Sequence, residues 1–238
     1  MCPAPSIFHL AAVSNVNHAF KYPVFTASLN VMGTANVLEA ARINGVKRVH
    51  FASTVWVYNG APGKEEVEET SPFYMDGAGH IYTSTKMAAE MLFHNYRALY
   101  DVPFTIWRYG IPCGPRMREE LLIPIFLKKA FAGEPLTIAG RGDQFRRFVF
   151  VRDLAKAHIV GMNSIAENQT YNLEGVEKVT VLQVAENIQR LVGGSRQDRF
   201  WARKARRFCG TRGVSREGQA GIGLGCNNQV RRGSEADG

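Results

Sequence analysis

Apolar positions along this chain alternate between two rhythms. Unbroken apolar runs occur at residues 7–12 (IFHLAA), 48–58 (RVHFASTVWVY) and 104–109 (FTIWRY), the pattern of parallel strands buried on both faces. Between them, residues 30–45 (NVMGTANVLEAARING) and 80–90 (HIYTSTKMAAE) carry apolar side chains every three or four positions, the period of a helix with one buried face. Asn44-Gly45 reads as a helix stop, and Asn59-Gly60 breaks the run that begins at Arg48. Strand, helix, strand, helix predicts a doubly wound parallel α/β sheet. Asn30 reads as a helix-start residue.

The pattern continues with a helix over residues 123–132 and strands over 136–138 and 147–151. Asp153 is a plausible cap for a helix over 154–162, and Thr180 for one over 181–192. Beyond Gly194 neither rhythm persists, while arginine and glycine become frequent, which predicts disorder over 195–238. Composition changes this picture in one respect. The net charge is +8, and residues 195–238 contribute +6 of it through ten Lys/Arg against four Asp/Glu. Basicity is therefore a property of the tail, and nucleic acid ranks lowest among the partners to expect. The four acids within residues 65–69 (EEVEE) read as a solvated loop.

Cys2, Cys113, Cys209 and Cys226 are scattered without metal-binding spacing, so no zinc site or disulfide framework is indicated. No apolar run is long enough for a membrane span, and residues 1–6 do not resemble a signal peptide, so the expectation is a cytoplasmic chain.

The stretch with most chemistry is residues 80–90, where Tyr82 and Lys86 lie one helical turn apart. On a helix they share a face, and a nearby ammonium favours the phenolate, drawing the tyrosine from its usual pKa of about 10 toward that of a general base. Ser53 and Thr54 end an apolar run, and the carboxyl ends of strands are where ligands sit in open α/β sheets. His9 reads as a packed, satisfied histidine.

These blocks resemble the NAD-dependent epimerase/dehydratase family of extended short-chain dehydrogenase/reductases, and within it the UDP-glucose type of nucleotide-sugar 4-epimerase. The matching pieces, in family order, are HLAA (9–12), NVMGTANVLEAAR (30–42), GVKRVHFAST (45–54), VYNG (57–60), YTSTK (82–86), RYGIPCGPR (108–116), the segment 133–158 and YNLEG (171–175). The resemblance implies a partial Rossmann-type domain over residues 1–112, a smaller α+β part binding the nucleotide sugar over 113–194, and a tail over 195–238. It implies NAD as cofactor, a nucleotide sugar as substrate and a homodimer. By the same resemblance Tyr82 is the acid/base, Lys86 its partner and ribose contact, and Thr54 the hydroxyl that orients the reacting oxygen, with Ser53 beside it. Leu10, Ala11, Ala12, Ser14 and Tyr109 fall on the nicotinamide side, and Arg146 matches an arginine that grips the diphosphate.

Departures from the family pattern carry their own expectations. No Gly-rich turn opens a helix near the start, so the chain resembles the family from about its fourth strand onward, without the pyrophosphate anchor. The Gly-dense stretch 218–225 follows no strand and is without meaning for phosphate binding. Ile111 stands where these epimerases usually carry Asn. Dehydratases of the family resemble one another in acids directly after the Thr, whereas Val55 and Trp56 follow Thr54 here, which favours epimerisation. Trp56 suits core packing and a sugar wall equally. A sugar-nucleotide-binding chain without turnover, or a dehydratase or reductase of the same family, are the alternatives. Residues 219–233, encoded with permitted codons and read one base later, give a Lys-Arg-Glu-Leu-Gly-Trp segment that resembles the family's closing sequence. Residues 204–215 treated likewise give Arg-Pro-Gly-Asp, another family motif, so the tail is expected to be an out-of-frame reading.

Overall fold

The structure, a computed structural model, describes residues 5–61, 67–192 and the backbone of 202–204. The chain runs β1 (Ser6–His9), α1 (Val16–Lys21), α2 (Pro23–Ala27), a π-helical turn (Ser28–Met32), α3 (Gly33–Ile43), β2 (Arg48–Thr54) and a 3-10 turn (Val55–Tyr58). It continues through α4 (Ile81–Tyr100), β3 (Phe104–Tyr109), β4 (Ile111–Cys113), α5 (Leu122–Phe131), β5 (Thr137–Ala139), β6 (Phe145–Arg146), β7 (Phe148–Phe150) and α6 (Val151–Val160). Then come β8 (Gln169–Leu173), β9 (Val179–Thr180), α7 (Val181–Val192) and β10 (Ala202–Lys204).

The main sheet is parallel, in the order β1-β2-β3-β8. Every residue of β2 is buried, which is why that run is apolar without alternation. Side chains alternate across the sheet, and Val49, Phe51, Phe104 and Ile106 share one face with Leu38 and Ala41 of α3 and Ala89 and Phe93 of α4. Each large side chain buried there contributes about 1.5–3 kcal/mol. The opposite face is aromatic: Phe8 stacks on His50, and Trp107 packs against Tyr171 and His158 of α6. Gly161, at the end of α6, touches the Trp107 ring so closely that a β-carbon would lie 2.2 Å from it.

α5 and α7 close a second core around Phe126, Leu136, Ile138, Val184 and Ile188. Thr180 does cap α7: its Oγ1 accepts the Gln183 N–H at 3.1 Å while Gln183 Oε1 accepts the Thr180 N–H at 2.8 Å, a reciprocal capping box. Gly45, at φ +60°, ends the α3 segment as the Asn-Gly pair required.

Four expectations are corrected. Asp153 does not cap α6, which begins earlier at Val151 with Phe150 in the cap position and Asp153 in its first turn. Asn30 does not start a helix but lies inside the π-helical turn between α2 and α3, because its side chain is needed elsewhere. β8, from the part expected to be the smaller one, returns to the main sheet beside β3. In the tail expected to be disordered, Ala202–Lys204 pairs in parallel with β5, since an edge strand's backbone groups accept a partner whatever its side-chain pattern. The rest of 195–238, including the segments that a shifted frame would restore, and acids 65–66 lie outside the described residues.

Among the described residues β1 is an edge of the main sheet, hydrogen-bonded only to β2, and Phe8 on it is 40% exposed. An apolar edge of this kind pairs with other chains. Sedimentation is expected to show association that grows with concentration. A monomer at all concentrations with a reversible melt would contradict this.

Candidate active site

Tyr82 and Lys86 are brought together as the spacing predicts, both buried on the inner face of α4. The Tyr82 phenol lies near enough to Thr54, at the carboxyl end of β2, for that hydroxyl to draw its pKa down. Lys86 Nζ donates to the Ala52 carbonyl at 2.6 Å and lies 5.9 Å from the Tyr82 ring centre. It also sits 4.5 Å over the Phe51 ring, a favourable place for a cation.

The electrostatics correct one part of the sequence reading. Burial pushes the Tyr82 phenol up to about 12, the nearby Thr54 hydroxyl and Arg118 only partly offsetting it. Desolvation dominates, and the ammonium one turn away is not among the groups that draw the phenol down, so Tyr82 is a neutral phenol at pH 7. Burial also lowers Lys86 to about 8, against a raising effect of Glu90. Between pH 8 and 10.5 the unfolded chain therefore keeps a proton on Lys86 that the folded chain has lost, and stability rises with pH across that window. Lys86→Met is expected to remove that rise and to stabilise the fold at pH 7 by about 1–3 kcal/mol. Melts at pH 7 and pH 9.5 test it, and a variant less stable at pH 7 would refute it.

The segment after β1 forms a ledge at the same end of the sheet. Leu10 is 57% exposed, Ala11 and Ser14 are exposed and Ala12 is half-buried. Asn30 fixes the ledge: its Oδ1 accepts the Val13 N–H at 2.8 Å, and its Nδ2 donates to Val13 O at 3.1 Å and to Thr85 Oγ1 at 3.0 Å. One buried amide thus ties the loop after β1 to the helix that carries Tyr82. The sequence hint was a polar residue on a face otherwise suited to burial. His9 is satisfied by Thr34 Oγ1 at 2.9 Å.

Burial raises the Tyr109 pKa, and Tyr82 lies close enough for a charge there to raise it further. Its hydroxyl meets His158 Nε2 at 2.7 Å, while His158 Nδ1 is 2.7 Å from the Leu154 carbonyl. A carbonyl only accepts, so Nδ1 carries the proton and Nε2 accepts from Tyr109.

Ser53 is not in this group. It points with Val49 and Phe51 into the face covered by α4, further along that helix than Lys86, is 2% exposed, and its hydroxyl donates to Glu90. Glu90 pairs with Arg108, whose Nη2 donates to Oε2 at 2.7 Å and whose Nε bridges both carboxylate oxygens. Arg108 Nη1 donates to the Tyr58 hydroxyl and, at 2.9 Å, to the Glu69 carbonyl. Tyr58 donates onward to Asn172 Oδ1 at 2.8 Å. The network was missed in the sequence, although an arginine inside an apolar strand and a glutamate one turn beyond Lys86 both require buried partners. Arg146 lies apart on β6, half-buried, with Nη1 donating to the Phe145 carbonyl at 2.8 Å. Among the described residues no group of three or more His, Cys, Asp or Glu side chains is placed to hold a metal ion, and no helix is long and apolar enough to cross a membrane.

The sequence profile of the NAD dependent epimerase/dehydratase family matches residues 4–173. The chain belongs to this family. A UDP-glucuronate 4-epimerase from Thermodesulfobacterium geofontis is 30% identical over 191 residues, covering 79% of this chain and 57% of that protein. A dTDP-glucose 4,6-dehydratase from Neisseria gonorrhoeae is 31% identical, over 77% of this chain and 55% of its own length. Among solved structures, the UDP-glucose 4-epimerase of Thermus thermophilus in complex with NAD superposes with a TM-score of 0.71 at 29% identity, over 80% of this chain and 62% of that one. The chain thus spans little more than half the length of these curated relatives, and they include both epimerases and dehydratases.

Proposed function

We propose that this chain supplies the acid/base and sugar-holding part of an NAD-dependent nucleotide-sugar 4-epimerase of the UDP-hexose type. The observation that carries this reading is the buried Tyr82 phenol, beside Thr54 at a strand's carboxyl end with Lys86 one turn further on. NAD, when bound, supplies the hydride acceptor and a positive charge beside the phenol. In its deprotonated form Tyr82 would take the proton of the sugar 4-hydroxyl and give it back when that hydroxyl re-forms, Thr54 orients that oxygen, and Lys86 provides a positive charge that favours the phenolate. Elimination needs an acid next to Thr54, but Val55 and Trp56 stand there and Glu90 is committed to Arg108. Epimerisation is therefore favoured over dehydration. Exposed Phe20, Val24 and Phe25 on α1 and α2 offer a face for a second copy.

The residues present fit only one end of NAD. Tyr82, Lys86 and the ledge from Leu10 to Ser14, with Tyr109 nearby, suit the nicotinamide ribose. No Gly-rich turn opens a helix among the described residues, so nothing described fits the pyrophosphate. On the sugar-nucleotide side, Arg146 is the arginine proposed for the diphosphate. Arg116 and Lys128 line a hollow with Ile123 and Leu127, a mixture of charge and apolar surface that suits a nucleotide. Calorimetry is expected to show UDP-glucose binding without micromolar affinity for NAD. Micromolar NAD binding would contradict this one-ended fit, and failure to bind any nucleotide sugar would overturn the reading.

A further inference from the structure

His80 has no part in the site as described so far, and the role inferred for it rests on Tyr82 working on a sugar. His80 caps α4: its Nδ1 accepts the Thr83 N–H at 3.2 Å and also meets Thr83 Oγ1 at 3.0 Å. A backbone N–H can only donate, so Nδ1 presents its lone pair and the proton of the neutral ring must reside on Nε2. That Nε2–H is buried and meets no acceptor among the described residues. Buried donors are almost always paired, and one without a partner calls for a specific explanation.

Its surroundings supply one. The His80 ring lies 4.9 Å from the Trp56 ring, edge-on, and 6.1 Å from the Tyr82 ring, and Trp56 is itself 6.1 Å from Tyr82. Trp56 is half-buried and follows Thr54 by two residues, receiving its turn from the Thr54 side chain, whose Oγ1 accepts the Trp56 N–H at 3.3 Å. Three rings thus cluster around the reacting phenol, with Thr54 beside Trp56. Among the described residues, the one buried donor in this cluster without an acceptor is His80 Nε2–H. Burial lowers the His80 pKa, so the ring stays a neutral donor rather than a cation at pH 7.

We propose that His80 Nε2–H donates a hydrogen bond to an oxygen of the pyranose ring held against Tyr82, with Trp56 as the apolar wall beside it. The two residues then select the sugar, and the capping role fixes the tautomer that does so. A neutral donor beside an indole matches an uncharged hydroxyl better than a carboxylate, so hexose is expected over hexuronate.

The test separates capping from recognition. His80→Asn keeps a side-chain acceptor for the Thr83 N–H and removes the second nitrogen. In the full chain its melting temperature should stay close to wild type, and its affinity for UDP unchanged. Its affinity for UDP-glucose should fall about tenfold, the loss of one good hydrogen bond, and that for UDP-glucuronate by less. Nitrogen NMR of the wild type should show the Nε2-bound proton moving downfield with UDP-glucose and not with UDP. Equal UDP-glucose affinity in wild type and His80→Asn, or an Nδ1-protonated ring, would overturn the role of His80 while leaving Tyr82 as assigned. Failure of the wild type to bind any nucleotide sugar would overturn both.

Discussion

Glu90→Ala is expected to lower stability by about 3–5 kcal/mol, a large part of the roughly 5–15 kcal/mol typical of a folded domain. The carboxylate is 1% exposed and its removal would strand the Arg108 guanidinium, itself 4% exposed, in the sheet's interior. The Ser53 hydroxyl would lose its acceptor as well. Loss of the charge also has a chemical consequence, because Glu90 is the group that raises the Lys86 pKa against burial. Without it the Lys86 pKa should fall further below about 8. Urea unfolding measures the effect, with Glu90→Gln as the milder comparison that keeps an acceptor but not the charge. A loss under about 1 kcal/mol for the alanine variant would show that the buried ion pair contributes no more than an exposed one.

The second large effect concerns chemistry. Tyr82→Phe removes one oxygen from a site whose other members stay in place, since Lys86 is held by the Ala52 carbonyl and not by the phenol. Turnover is expected to fall by about 10²–10⁴, the usual contribution of a positioned acid/base, while nucleotide-sugar affinity changes little. A fall in turnover without a rise in KM is the sign of an interaction made in the transition state. An unaffected rate would remove Tyr82 from the mechanism.

Much of this was legible in the sequence because burial on both faces forces an unbroken apolar run, and one-sided burial forces a helical period. β3 (Phe104–Tyr109) and the buried pair on α4 follow from those rules. What was hidden depends on contacts between residues far apart in the chain. Asn30 looked like a helix start because only the fold brings Val13 and Thr85 to its amide. Ser53 and Thr54 are adjacent and chemically alike, yet the alternation of a strand sends the first to Glu90 and leaves the second with Tyr82. The ionisation of Tyr82 was misjudged for a similar reason: spacing reveals a neighbouring charge, while the depth of burial that keeps the phenol neutral appears only in the folded chain.

The central claim is that Tyr82, Thr54 and Lys86 form a working acid/base site for a nucleotide sugar. It is tested most directly by incubating the full chain with UDP-glucose and NAD⁺ at about 10 mM, far above the micromolar affinities of well-anchored cofactors, and following the sugar C4 configuration by proton NMR. Slow formation of UDP-galactose by the wild type, and none by Tyr82→Phe, is the expected result. Conversion that persists in the variant, or a wild type that holds both molecules and leaves C4 unchanged, would contradict it.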